Sequence, residues 1–302
     1  MPAPEVPLDI AELHAFIAVA ETRSFSTAAE RLFLTQPAVS KRIAALESEL
    51  AVPLFDRIGR QVALTEAGDT LLPRARRIVQ EITDSKRALA DLRGQVAGRL
   101  QIGTSHHIGL HRLPPVLREY TAAWPEVELD IEFMDSEDAC QAVQQGRLEL
   151  GIVTLPSRPM ADLEYRPLWP DPLAVFVAPD HPLAHCDPLT PQTLADHPAI
   201  LPAHGTYTRE RIEAALAPHH VELQISMATN YLETIKMMVS VGLGWSILPV
   251  SMQSDDVAVR QLEGVVMQRE LGVVWHRRRT RSNAARAMLE CLENQFRVVS
   301  SG

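Results

Sequence analysis

Two short helices joined by a tight turn are encoded by residues 24–42, which read SFSTAAERLFLTQPAVSKR. Ser26 is suited to cap the first of these helices, which we expect to end near Leu34. Thr35 is the predicted cap of the second helix, and Pro37 lies in its first turn, where a missing N–H costs nothing. The predicted buried stripes consist of Ala28, Ala29, Leu32 and Phe33 in the first helix, and of Ala38, Val39, Ile43, Leu46 and Leu50 in the second. The segment therefore predicts a helix-turn-helix.

Further elements flank this segment on both sides. Apolar residues recur at helical spacing over residues 8–20 and predict a preceding helix. Short apolar runs at 53–55 and 62–64 enclose Gly59, which suits a turn, so they predict a two-stranded hairpin. Because this hairpin carries Arg57 and Arg60, it is a candidate basic wing.

The start of the second helix carries side chains that can read DNA, since the N-terminal end of a recognition helix enters the major groove. Gln36 can pair with adenine through two hydrogen bonds, and Lys41 or Arg42 can bind guanine or phosphate. An ordinary capped surface helix is the alternative, which the alanine-rich preceding helix and the basic wing disfavour. The candidate DNA-binding residues are Thr35, Gln36, Pro37, Ser40, Lys41, Arg42, Arg57 and Arg60.

The charge of the chain limits where such a surface can lie. The 302 residues carry 29 Lys and Arg against 38 Asp and Glu, a net charge of −9. Residues 1–93 hold 12 basic and 13 acidic side chains, so −8 of this charge lies after residue 93. Because phosphates require a basic surface, a nucleic-acid surface is expected to be local and N-terminal.

A long helix is predicted to start at Thr65 and Glu66. Apolar residues then alternate spacings of four and three, which is the heptad pattern of a helix with a partner helix. A helix packed on its own domain is the alternative. The predicted seam consists of Leu71, Ala75, Ile78, Ile82, Ser85, Leu89, Leu92 and Val96.

Strands alternate with helices beyond Gly98, in the rhythm of parallel βαβ units. Two α/β lobes are predicted, with the chain crossing between them near Thr154 and Pro249. The first lobe is expected to hold residues 98–154 and 250–302, and the second lobe residues 155–249. Separate strands are predicted at 163–168 and 173–177.

Three loops at strand ends and helix starts are candidates for a ligand site. They comprise residues 104–107, residues 202–206, and Thr229 with Asn230. These loops are rich in hydroxyl and imidazole groups and hold no carboxylate, so they predict a site for a small anion, with Asp135 at the mouth of the cleft. The candidate effector-binding residues are Thr104, Ser105, His106, His107, Asp135, His204, Thr206 and Asn230.

Other interpretations of His106 and His107 are open. Coordination of a metal ion by this pair is disfavoured because adjacent residues that leave a strand point apart. Each ring can instead be structural, with a hydrogen bond to a backbone carbonyl. We therefore predict neither a metal site nor a cofactor.

Missing signals disfavour other classes of protein. The chain has no GxSxG, Walker or GxGxxG motif, so we predict that it is not an enzyme. No Lys or Arg precedes Arg23, which is unlike the secretory signal that an extracytoplasmic solute-binding protein requires. Three widely separated cysteines fit a reducing cytoplasm. A purely architectural DNA-binding protein would have no use for about two thirds of the chain.

The segment 8–73 closely resembles the winged helix-turn-helix of LysR-type transcriptional regulators, and the later part of the chain agrees with that family. The residues that carry the resemblance are Phe16, residues 24–32, 34–40, Ile43, Leu46, Glu47, Leu50, residues 53–57 and 64–68, and, near the second crossover, residues 239–244 with Leu248 and Pro249.

This resemblance implies an α+β winged helix-turn-helix domain (residues 1–66), a linker and dimerisation helix (67–97) and an α/β effector domain (98–302). The effector domain is expected to have two lobes like those of periplasmic solute-binding proteins. The implied function is cytoplasmic, effector-responsive transcription regulation on double-stranded operator DNA. The implied assembly is a homodimer through the linker helix, with lobe contacts that make a homotetramer. Residues 104–106 resemble a loop of the sulfur-assimilation regulators in the family, which favours a sulfate-like anion.

Overall fold

The computed structural model describes residues 8–58, 61–91 and 94–300. They belong to two compact units, the first up to residue 93 together with 145–147, and the second formed by 94–144 and the chain from 148 onward. The elements of the first unit are α1 (Ile10–Thr22), α2 (Phe25–Arg31), α3 (Gln36–Leu50), β1 (Phe55–Ile58), β2 (Gln61–Leu64) and α4 (Glu66–Asp91). The predicted helix-turn-helix, hairpin and long helix are therefore present.

Side-chain caps fix where α2 and α3 begin. The Thr35 hydroxyl accepts a hydrogen bond from the Ala38 N–H at 3.4 Å, which confirms the predicted cap of α3. The cap of α2 is Ser24, whose hydroxyl accepts a hydrogen bond from the Thr27 N–H at 3.2 Å. The prediction of Ser26 as this cap is wrong, because the backbone is extended at Ser24 and already helical at Ser26.

The turn between α2 and α3 leaves Phe33 in solvent. Phe33 has a left-handed backbone with a φ of 54°. Its N–H donates to the Glu30 carbonyl at 3.1 Å, and the Leu34 N–H donates to the Ala29 carbonyl at 2.9 Å, which together make a Schellman turn. The Phe33 side chain is 96% exposed, so its predicted place in the buried stripe is wrong. The left-handed turn rotates this side chain away from the stripe.

The core of the first unit joins the hairpin to the helices. The rings of Phe16 on α1 and Phe55 on β1 lie 5.4 Å apart. The Glu47 carboxylate on α3 accepts hydrogen bonds from the Leu54 N–H at 2.7 Å and the Phe55 N–H at 3.2 Å. A Cβ at Gly68 would lie 2.3 Å from the Leu54 carbonyl oxygen, so only glycine fits at this point of α4. The hairpin is thereby held against α3 and α4.

The predicted seam of α4 divides into two parts. Ala75 is buried in the core of the first unit, as the alternative interpretation requires. Farther along, Ile78 is 39% exposed and Leu89 is 69% exposed. Leu92 lies outside the described residues, and α4 ends before Val96, which packs against a core of the second unit. The seam is therefore shorter than predicted, and its exposed apolar part begins at Ile78.

The elements of the second unit are β3 (Gly98–Thr104), α5 (His106–His111), α6 (Leu113–Ala123), β4 (Val127–Phe133), α7 (Ser136–Gln144), β5 (Leu150–Thr154), β6 (Leu163–Val177), α8 (Pro191–Ala195), β7 (Ala199–Leu201), α9 (Tyr207–Leu216), β8 (Ile225–Ala228), α10 (Leu232–Ser240), β9 (Ser246–Pro249), β10 (Ala258–Arg260), β11 (Met267–His276) and α11 (Asn283–Ser300). They form a seven-stranded mixed sheet in the order β10-β6-β11-β5-β3-β4, with β9 also paired to β6, and a separate parallel pair β7-β8. β3 pairs in parallel with β4 and β5, whereas β11 runs antiparallel to β5 and β6.

Two lobes share the long strands β6 and β11. Leu168, Trp169 and Leu271 belong to the core of the first lobe, whereas Leu173 and Met267 belong to the core of the second. Both strands therefore pass from one lobe to the other between these positions. The predicted crossovers near residues 154 and 249 are wrong, because Leu163 and Leu168 still pack in the first lobe and residues 257–267 still pack in the second. β6 is also one continuous strand where two were predicted.

Residues 237–254 carry no Asp, Glu, Lys or Arg, and they include the end of α10, a turn at Gly242 with a φ of 80°, and β9. Among the helices in the described ranges, none combines the length and the hydropathy that crossing a membrane demands.

Candidate functional site

The first turn of α3 presents polar side chains to solvent. Gln36, Pro37 and Lys41 are exposed, and Ser40 is half-buried. The Gln36 amide donates a hydrogen bond to the Ser40 hydroxyl at 3.0 Å, which is the contact expected for residues one helical turn apart. These side chains and the capping residue Thr35 form one polar surface that a DNA groove can reach.

The remaining candidate DNA-binding residues differ in position. Arg42 is half-buried, and its charge favours the ionised form of Glu12, whose pKa is raised by burial and by Asp9. Arg57 lies on β1, but its side chain and the whole of Arg60 lie outside the described residues. Arg42 is thus less available to DNA than Lys41.

A cavity of about 260 Å³ in the second unit is lined by residues of both lobes. The first lobe contributes the start of α5 and the segment from β4 into α7, and the second contributes the starts of α9 and α10. The lining residues are Ser105, His106, His107, Phe133, Met134, Asp135, Ser136, Glu137, Asp138, Thr154, Pro202, Thr206, Thr208, Asn230, Tyr231, Leu232 and Arg269.

Two candidate effector-binding residues do not line this cavity. The Thr104 hydroxyl is fully buried and donates a hydrogen bond to the Ile152 carbonyl at 2.8 Å, so it holds β3 against β5. The His204 side chain is 78% exposed and lies 3.5 Å from the Glu213 carboxylate. The other six candidates, Ser105, His106, His107, Asp135, Thr206 and Asn230, are all lining residues.

Arg269 is a lining residue that sequence reasoning missed. It lies opposite Asp171, where β11 and β6 pass between the lobes, and its Nε donates to that carboxylate at 2.8 Å. Its Nη1 donates to the Thr208 hydroxyl at 2.8 Å, while its buried Nη2 has no hydrogen-bond partner among the described residues. Arg112 also approaches Asp171, at 3.4 Å. Two guanidinium groups thus share one carboxylate, which leaves a local excess of positive charge.

The cavity also contains carboxylates, of which Asp135 was expected at its mouth and Glu137 was not predicted. The Asp135 carboxylate accepts a hydrogen bond from the Asn230 amide at 2.5 Å, which joins the two lobes. The Glu137 carboxylate accepts one from the Tyr207 N–H at the start of α9. Burial raises the pKa of Glu137, against the lowering effect of this hydrogen bond. One side of the cavity is therefore acidic, although the three loops themselves hold no carboxylate.

The two adjacent histidines have different surroundings, as expected for side chains that point apart. His106 is exposed and lies between the rings of Phe133 and Tyr231, with centroid distances of 5.1 and 5.0 Å. The His107 ring is buried, and its Nδ1 lies 3.1 Å from the Glu233 carboxylate. Burial lowers the pKa of His107, although the hydrogen bond with Glu233 opposes this.

Two signals in the sequence point to the residues that were missed. Every second residue of a strand faces the same side of its sheet, so Arg269 shares the buried face of β11 with Met267 and Leu271. A charged residue at such a position indicates a functional or paired side chain. The other missed residue is His111, whose Nε2 lies 3.2 Å from the Glu233 carboxylate. His111 is four residues from His107, which places both on one face of α5.

A winged helix-turn-helix and a two-lobed α/β domain with a polar cavity together define a ligand-responsive DNA-binding regulator. Comparison with known proteins gives the family. The model of the LysR substrate binding domain matches residues 93–297, and that of the bacterial regulatory helix-turn-helix protein, lysR family, matches residues 10–69. The chain therefore belongs to the LysR family of transcriptional regulators, a class without enzymatic activity. Members of this family bind DNA and small-molecule effectors and form oligomers.

Individual proteins support this assignment. The HTH-type transcriptional regulator CbbR of Rhodospirillum rubrum is 33% identical over 97% of this chain and 98% of its own length. An uncharacterised HTH-type transcriptional regulator of Azotobacter vinelandii is 69% identical over 36% of this chain and 75% of its own. Among solved structures, a full-length OxyR variant from Pseudomonas aeruginosa matches with a TM-score of 0.72 and 25% identity, over 97% of this chain and 95% of that chain.

Proposed function

We propose that this regulator binds operator DNA through residues 1–66, dimerises through residues 67–97 and binds a small anionic effector in residues 98–302. The observation that carries the effector part is Arg269, a buried arginine at the cavity with one guanidinium nitrogen unpartnered among the described residues. Since the target is operator DNA, we place the protein in the cytoplasm.

The proposed DNA contacts follow from the exposed start of α3. Gln36 and Ser40 are placed to read base edges, while Lys41 and the basic hairpin residues Arg57 and Arg60 contact phosphates. A random-sequence DNA selection with the full-length protein will define the preferred site. Gln36→Ala is then expected to lose about 1–3 kcal/mol of discrimination at one base pair of each half-site. Ser48→Ala, at an exposed position near the other end of α3, is the matched control.

The proposed dimer uses the exposed part of α4. Ile78 and Leu89 are accessible, Ile82 is half-buried, and all three lie on the heptad seam. A second α4 helix would bury these side chains and bring two recognition helices to adjacent half-sites. Contacts between effector lobes would join two such dimers into a homotetramer, as the family resemblance implies.

The proposed anion site is supported by the charges around Arg269. Its Nη2, unpartnered within the described part of the chain, can donate to an anion, and the lining hydroxyls of Ser105, Thr206 and Thr208 add further donors. Burial strengthens such charge-assisted hydrogen bonds, because water does not compete with them.

Calorimetric titration with sulfate tests this site. Arg269→Lys keeps a positive charge beside Asp171 but loses the forked donor set, so the affinity is expected to fall at least about tenfold. Arg118→Lys, at an exposed position of α6, should leave the affinity unchanged. Equal affinities in all three proteins would contradict the assignment of Arg269.

A further inference from the structure

A second group of convergent side chains lies at the edge of the cavity, and the proposed function does not use it. His107 and His111 come from α5, and Glu233 comes from the first turn of α10. His107 is the one member of this group that lines the cavity. The three side chains offer two imidazole nitrogens and a carboxylate oxygen that all lie within 4.8 Å of one another.

The distances within this group suit a tetrahedral metal ion. The Glu233 Oε1 lies 3.1 Å from His107 Nδ1 and 3.2 Å from His111 Nε2. Ligand atoms about 2.0–2.1 Å from a tetrahedral ion are about 3.3 Å apart, which is close to both separations. His111 is 43% exposed, so its ring has room to turn toward a shared ion.

We propose that His107, His111 and Glu233 form a binding site for Zn²⁺, with the fourth coordination position open to water or a ligand. Two imidazoles and one carboxylate are a donor set that favours Zn²⁺ over Mg²⁺ and Ca²⁺, which take oxygen ligands. Histidines at i and i+4 of a helix are spaced to coordinate one ion together. No metal site was predicted from the adjacent pair His106 and His107, whereas the structure brings His107 together with His111 at Glu233.

The site connects the two lobes. Ile108, between the two histidines, belongs to the core of the first lobe, and Leu232, beside Glu233, belongs to a core of the second. A bound ion would therefore tie α5 to α10 across the cleft, in addition to the existing hydrogen bonds from the histidines to Glu233.

Titration of the metal-free, full-length protein with Zn²⁺ tests the proposal, with hydrogen exchange of α5 and α10 as a second measurement. One equivalent is expected to bind and to slow exchange in both helices. His111→Ala and Glu233→Gln should each weaken binding by more than about 100-fold, since outer-shell partners of metal sites alone are worth 10–100-fold. His204→Ala is the matched control, because His204 and Glu213 form an exposed pair that belongs to no cluster of three such ligands among the described residues.

The thermal stability of each variant, measured without metal, distinguishes loss of zinc binding from loss of folding. Loss of binding in His111→Ala and Glu233→Gln, with binding retained in His204→Ala, supports the site. Binding that persists in both cluster variants, or a wild-type protein that binds no more tightly than they do, overturns it. Sulfate affinity is measured separately, so failure of the anion site and failure of the zinc site are distinguishable.

Discussion

Replacing Glu137 by glutamine is expected to increase the affinity of the cavity for a small anion. The Glu137 carboxylate lines the cavity and occupies the Tyr207 N–H at the start of α9, a position that favours negative charge. Glutamine keeps a carbonyl oxygen that can accept this hydrogen bond, but it removes the negative charge. The change therefore tests electrostatics with little change in shape.

The magnitude follows from the size of the cavity. A volume of about 260 Å³ corresponds to a width of about 8 Å, and two unit charges at that separation interact by about 2 kcal/mol at an effective dielectric constant of about 20. Loss of this repulsion corresponds to an increase in affinity of up to about thirtyfold for a monoanion. A dianion such as sulfate should gain more than a monocarboxylate.

Stability gives an independent check on the Glu137 variant. The pKa of this carboxyl is raised above its usual 4.5 by burial, so the group favours folding only at acidic pH and loses that contribution as the pH rises through its folded-state pKa. Glu137→Gln should therefore be at least as stable as the wild type at neutral pH.

The assay is calorimetric titration with sulfate and with a monocarboxylate, and Glu222→Gln is the control for the same change of net charge at an exposed position that does not line the cavity. An affinity for anions that is unchanged or lower in Glu137→Gln, in a folded protein, would refute the electrostatic reasoning.

Three further predictions concern the first unit. Aspartate at both Ile78 and Ile82 should give monomers in equilibrium sedimentation and weaken DNA binding, because a charged seam cannot be buried against a second helix; persistent dimers would contradict the α4 interface. Gly68→Ala should lower the free energy of unfolding by about 1–3 kcal/mol in denaturant titration, since its Cβ would meet the Leu54 carbonyl oxygen at 2.3 Å. Phe33→Asn should raise the free energy of unfolding by up to about 1 kcal/mol, because asparagine tolerates the left-handed turn better and removal of the exposed ring costs no packing.

Local patterns predicted most of the first unit, because its helices begin at capping residues and bury regular apolar stripes. The wrong predictions concern the two ends of α2, where the backbone is not helical. Phe33 follows the apolar period of α2, but a left-handed turn carries it into solvent. Ser24 and Ser26 are equally good caps by composition, and the extended backbone at Ser24 distinguishes them.

Long-range pairing explains what could not be predicted in the second unit. Separate strands were predicted at 163–168 and 173–177, yet β6 is continuous through Pro167, Pro170 and Pro172 because β11 pairs along it. Since both strands pass between the lobes, Arg269 and Asp171 meet at the crossover, a contact between residues 98 positions apart. The basic centre of the cavity therefore arises from strand register, whereas Ser105, Thr206 and Asn230 could be located from their loops alone.

The contacts across the cleft determine how a ligand can act on this domain. Asp135 with Asn230, and His107 with Glu233, join the two lobes. A ligand can shift the arrangement of the lobes only by the difference between its affinities for the alternative arrangements. An anion that contacts Ser105 on one lobe and Thr206 on the other gains both contacts only when the cleft is closed. The same anion is repelled by the carboxylates that help to close the cleft. Its affinity for the closed arrangement therefore depends on whether attraction by Arg269 exceeds repulsion by the acidic side of the cavity.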